Sequence, residues 1–161
     1  ITTRGNISGV VDLSATYGHV VPTLSAFHDG NFYIGNLDTF PAPHGGSSIF
    51  KVTRDGQISV FAKGFNMILG ITFDRLGGLY VLENSTNSPF PNPGTGDIVR
   101  IDPSGARQVI TSGLFLPTGM TFGPDGKLYV SNWGFGPPAL GGGQVLQISF
   151  KCDEIQGAKQ N

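Results

Sequence analysis

The chain says nearly the same thing three times. "PTLSAFHDGNFYIGNLDTF" (22–40) returns as "MILGITFDRLGGLYVLENS" (67–85) and again as "LPTGMTFGPDGKLYVSNWG" (116–134), with Tyr33, Tyr80 and Tyr129 in one frame, 47 and 49 residues apart. A second phrase travels with the first. "SSIFKVTRDGQISVFAKGF" (47–65) is answered by "GDIVRIDPSGARQVITSGL" (96–114) and by a shortened "GQVLQISF" (143–150), so that Phe50, Val99 and Leu146 share a frame 49 and 47 residues apart. A fixed period of this size marks a repeat architecture, in which each unit buries its apolar face against the next.

Each phrase reads as a β-hairpin. Short β-branched, aromatic and aliphatic runs flank turn signals such as Pro124-Asp125-Gly126 and Leu76-Gly77-Gly78, which supply the left-handed conformations that tight turns need. No segment keeps an i, i+3, i+4 apolar rhythm for three turns, and 25 Gly and 11 Pro interrupt the chain too often for long helices. Two hairpins per period make four strands, the unit of a β-propeller blade. With strands labelled A to D from the inside out, the expected order is D ("ISGVVDL"), ABCD, ABCD, ABC, twelve strands or about three blades over residues 1–150, followed by a polar tail, 151–161. Propellers close with about four to eight blades. The expectation is therefore an all-β half of a six-bladed ring, completed by a second copy (a homodimer) or by an N-terminal half-propeller.

Composition narrows the function classes. An apolar fraction of 39% with 13% charged residues is that of a globular protein, neither disordered nor membrane-embedded. Ten Lys and Arg against eleven Asp and Glu, without a basic cluster, give no electrostatic footprint for nucleic acid. No apolar run approaches the length of a membrane span. The chain opens on Ile1 rather than Met; no signal peptide is read there, and a leader or an upstream segment is left open. The single cysteine, Cys152 in the tail, has no internal disulfide partner and reads as a spare surface thiol.

The loops are lopsided. A-to-B and C-to-D turns are short and Gly-based, whereas the B-to-C loops "DTFPAPHGG", "STNSPFPNPGTG" and "GFGPPALGGG" are long on the opposite face. Long loops on a rigid scaffold are where ligands are usually met. On that face the candidate ligand-binding residues are Asn36 and Asp38, His44 in "PAPHGG", Glu83 with Asn84, and Asn132 with Trp133. Strand-end Asn side chains also bond their own loop backbone, and the turn aspartates read as conformational devices. No Ser-His-Asp order, metal-spaced His pair or Cys-His pair is present, so no catalytic residue and no metal ligand is assigned.

The phrases "VPTLSAFHDGNFYIGNLDTFPAPHGGSSIFKV", "FAKGFNMILGITFDRLGGLYVLEN" and "GDIVRIDPSGARQVITSGLFLPTGMTFGPDGKLYVSNWGFGPP" together resemble the C-terminal half of the ScyD/ScyE family, propellers named from cyanobacterial scytonemin-pigment gene clusters and related to NHL-repeat and gluconolactonase-like rings. The resemblance runs through nearly all of residues 5–149. It implies a secreted or periplasmic six-bladed ring of unestablished activity. Related gluconolactonase-like rings hold a divalent cation such as Ca with Glu, Asn and Asp, several of them at the start of inner strands; the equivalent positions here are Thr23, Leu69 and Thr118, and Gly70 stands where family members often carry Asp. Two functions follow as expectations. One is a secreted binding or scaffold module that takes a small ligand or a partner on its long-loop face, without a cofactor. The alternative is a metal-dependent, lactonase-like hydrolase or isomerase completed by the other half-ring.

Overall fold

The computed structural model describes residues 9–136 and 142–150. Eleven strands follow one another as antiparallel meanders: β1 (Pro22–His28), β2 (Asn31–Asn36), β3 (Ser47–Val52) and β4 (Ile58–Phe65) form one sheet, and β5 (Ile68–Phe73), β6 (Leu79–Glu83), β7 (Gly96–Ile101) and β8 (Arg107–Leu114) the second. The third sheet holds β9 (Gly119–Phe122), β10 (Leu128–Asn132) and β11 (Gln144–Ile148). The expected ABCD, ABCD, ABC order is present. The one helix among the described residues, α1 (Ser14–Tyr17), is a single turn.

The repeat extends to register. Tyr33 pairs with Lys51, Tyr80 with Arg100 and Tyr129 with Gln147, the same step of each B–C ladder. Strand β3 slips against β4 between Ser47 and Ser48 and between Ile49 and Phe50; β7 slips against β8 between Gly96 and Asp97 and between Ile98 and Val99. Such bulges add local twist, and here they recur at equivalent places. Inner strands β1, β5 and β9 lie side by side at the hub.

Alternating side chains feed two cores. Tyr33 and Ile49 of the first sheet meet Ile71, Leu79, Val81, Val99 and Ile101 of the second, while the other face of the second sheet sets Tyr80, Leu82 and Ile98 against Leu128 and Val130. With both faces covered, every residue of β6 is buried. Gly70 shows how close the blades come: a Cβ there would lie 2.8 Å from Leu82 Cβ and 3.1 Å from Met120 Cγ. An Asp of the kind that members of the resembled family often carry at that position does not fit between these sheets.

A third apolar cluster sits on the outer flank of the first sheet. There Leu13 and Val20 bury Phe50 and Val52, Val11 packs alongside, and the Tyr17 ring lies 4.8 Å from that of Phe50. In the segment expected as the opening D strand, residues 9–13 form no ladder. Their would-be partner, β11, is in the third sheet, and their apolar side chains are satisfied locally on Phe50 and Val52. Residues 7 and 8 of that segment, half of the loop "GFGPPALGGG" (Pro137 to Gly141), and the tail with Cys152 lie outside the described residues.

Candidate functional site

All five predicted tight turns lie where the short-turn face was expected, and the three B-to-C loops leave from the opposite face. At the end of each B strand the chain faces one problem. The D-to-A crossing leaves its ladder and exposes a backbone N–H that needs an acceptor. Asn36, Glu83 and Asn132 occupy equivalent places, 47 and 49 residues apart, and each solves it in the same way. Asn36 Oδ1 accepts from Val21 N at 2.7 Å, Glu83 Oε1 from Asn66 N at 2.5 Å, and Asn132 Oδ1 from Phe115 N at 2.8 Å. All three side chains are buried.

Around these latches the polar groups are densely paired. Asn36 Nδ2 donates to Asp38 Oδ1 at 3.0 Å, and Ser47 Oγ donates to Asp38 Oδ2 at 2.8 Å. That same hydroxyl oxygen accepts from Met67 N at 2.9 Å, and Met67 O accepts from Asn84 N. These two bonds hold Met67 at φ 46°, and Leu116 takes φ 43° in the next crossing. A left-handed non-glycine residue persists only where its surroundings over-determine it. Asn84 is fully buried and ties the second blade to the third, its Nδ2 donating to Pro117 O at 2.8 Å.

Trp133 stacks on Phe115 with centroids 4.7 Å apart. His44 is exposed at the tip of the first long loop, 6.5 Å from the Phe90 ring. The predicted residues thus share one face. Asn36 and Asp38 touch each other, whereas Glu83, Asn84 and Asn132 act in separate latches.

The second blade departs from its neighbours. Its latch is a carboxyl, and across the β6–β7 ladder Glu83 faces another, Asp97. In the third blade the equivalent pair is Asn132 and Gln144, joined by an amide hydrogen bond of 3.1 Å. In the first, the ladder stops at Gly35 and Ile49, one step short of Asn36. Burial first, and then the Glu83 carboxyl beside it, push Asp97 up to about 7. Asp97 Oδ1 and Asn84 Oδ1 are buried acceptors without a partner among the described residues. Asn66 completes the cluster: its Nδ2 donates to Glu83 Oε1 at 2.9 Å and its Oδ1 accepts from Gly45 N at 2.8 Å, which fastens the first long loop to the second blade. Sequence reading missed Asp97 and Asn66. The available signal was the strand register, which sets two acids opposite each other in one blade only.

The positions equivalent to a cation site hold nothing suited to one. Thr23 and Leu69 are the bulged residues of β1 and β5. Thr23 Oγ1 donates to Ile68 O at 2.9 Å, Leu69 has no ligating atom, and Thr118 lies against Gly134. Among the described residues no three His, Cys, Asp or Glu are grouped as metal ligands. Thr23, Leu69 and Thr118 do not make a ligand set for a divalent cation.

No protein-family model and no curated protein matches this chain. Solved structures do. A luciferin-regenerating enzyme superposes with a TM-score of 0.57 at 14% identity, covering 76% of this chain and 42% of that one. The calcium-binding protein regucalcin from Agrobacterium tumefaciens gives 0.50 at 18%, covering 78% and 43%; a putative gluconolactonase gives 0.46 at 16%, covering 72% and 45%. The fold is a partial β-propeller. It spans less than half the length of these solved proteins. At these identities the likeness is one of fold alone, and it does not confirm the ScyD/ScyE resemblance.

Proposed function

We propose that the chain is one half of a lactonase-like propeller hydrolase that opens a small ester or lactone on its long-loop face. The observation that carries this reading is the carboxyl pair Glu83 and Asp97. General acid–base work needs a proton donor whose pKa lies near the working pH, and Asp97, pushed up to about 7, is such a group. Glu83 is fixed by two N–H groups from Asn66. In this reading Asp97 exchanges the proton and Glu83 with Asn66 positions it. The named enzymes of similar fold add support at the level of architecture only.

The proposal includes a secreted or periplasmic location and a second half-ring, either another copy or an N-terminal half. The test is proton release from an aldonolactone by the assembled ring. Asp97→Asn is expected to lower kcat by about 100-fold with KM little changed, a typical loss for a general acid. An assembled ring that hydrolyses no faster than buffer, or an Asp97→Asn ring of full activity, would refute the assignment.

One observation favours a second reading, a binding module without a reaction. Asn36, Asp38, Asn84 and Asn132 are all engaged in holding the scaffold, which leaves exposed His44 and the neighbouring aromatic loop residues to meet a partner. Binding of that partner by a ring inactive on lactones would select it.

A further inference from the structure

Between the first and second blades, on the short-turn face, lies a cavity of about 500 Å³, within the range of about 300–1,000 Å³ typical of small-molecule sites. It is independent of the long-loop face. Its apolar wall is aromatic: Tyr33 meets Phe61 edge-on at 5.0 Å and Phe73 at 4.8 Å. Tyr33, only 6% exposed as a whole, borders the cavity, and its hydroxyl meets no hydrogen-bond partner among the described residues. The equivalent hydroxyl of Tyr129 donates to Asp125 at 3.0 Å. Burial, and then the charge of Asp29, raise the Tyr33 pKa, so the phenol stays protonated and neutral.

The charges at the cavity are net negative, two carboxylates against one guanidinium. Asp29 stands on the first-blade rim and Asp102 on the second. The Ser104 hydroxyl, and then the backbone of its turn, hold Asp102 below the usual carboxylate range. Arg107 also borders the cavity, but its guanidinium is committed elsewhere, stacked 4.5 Å over the Phe65 ring and donating to Lys63 O at 2.7 Å. His28 is stacked on Phe73 at 4.2 Å, with Nε2 lying 3.5 Å from Asp29 Oδ2. A ligand here meets aromatic surface, one neutral hydroxyl and two carboxylates that outnumber the single Arg107 charge. That combination attracts a poorly hydrated cation through ring quadrupoles and opposite charge together.

We infer that this interblade cavity binds a small organic cation, a quaternary or alkyl ammonium group of about the size of choline. The test is calorimetric titration of the full chain with choline and, separately, with 3,3-dimethylbutan-1-ol, which has the same shape and no charge. Choline is expected to bind at least about ten-fold more tightly, the discrimination a partly desolvated cation–π site provides. Phe61→Ala and Asp102→Asn should each weaken choline several-fold. Phe61 is 42% exposed, so its truncation leaves the cores intact, and an unchanged melting midpoint confirms this. The inference is overturned by equal binding of the alcohol, by no binding of choline at millimolar concentration, or by a folded Phe61→Ala variant of unaltered affinity.

Discussion

Replacing Asp97 by Asn removes one titrating group from the Glu83 latch while preserving side-chain volume. Asp97 moves from an ordinary value of 3.8 to about 7 on folding, a difference of about three pH units. Fully counted, that is ~4 kcal/mol of linked free energy; Asp97 is only partly buried, and solvent screening reduces the figure to about 2 kcal/mol. The sign follows from the direction of the shift. A carboxyl raised in the folded state binds more protons folded than unfolded, so its stabilising contribution is complete below about pH 4 and is lost as pH rises through about 7. Urea unfolding of the wild-type and Asp97→Asn proteins across that window measures it for the Glu83–Asp97 pair, because titrating groups that do not interact with Asp97 cancel in the difference. The wild-type midpoint should fall relative to the variant by about 1 M, given a urea dependence of about 1–3 kcal/mol per molar for a domain of this size. A difference that stays flat from about pH 4 to about pH 8 would show that no proton is taken up between Glu83 and Asp97.

Two further outcomes test the packing. Tyr80 is 2% exposed, edge-on to Phe122 at 5.1 Å, so Tyr80→Asp should lower stability by about 3–5 kcal/mol through lost packing and buried charge, whereas Tyr129→Asp on the outer face of the third sheet should change it by about 1 kcal/mol or less; equal melting shifts would mean that the second and third blades do not meet as described. Gly70→Asp drives a side chain into Leu82 and Met120 and should destabilise by about 3 kcal/mol or more, a value that a melt of the purified variant would contradict by remaining unchanged.

Much of the scaffold was legible because its signals are local. The turns at Asp29-Gly30, Gly77-Gly78 and Asp125-Gly126 require left-handed residues, and Gly30, Gly77 and Gly126 all have φ near +80°. The Tyr33, Tyr80 and Tyr129 frame marked the B strands because the same side chain recurs at the same step of each ladder. The latch partners were not legible. Asn66 reaches Glu83 across 17 residues, from a crossing two residues long, and Asp97 follows a bulge that interrupts the in-and-out alternation from which its side would be read. Apolar alternation in "ISGVVDL" says that a face will be buried; within one chain its described residues 9–13 form no ladder, and Val11 and Leu13 pack beside Phe50 and Val52.

That covering has a kinetic meaning. Leu13, Val20 and Tyr17 already occupy the flank of the first sheet, where a neighbouring blade would pack. Any sheet docking there must exchange with residues 11–20 rather than add to a bare surface. Such an exchange is limited by how often the segment lifts away, so its rate saturates as partner concentration rises. Docking against the third sheet meets no such intrachain competitor among the described residues and should stay proportional to concentration.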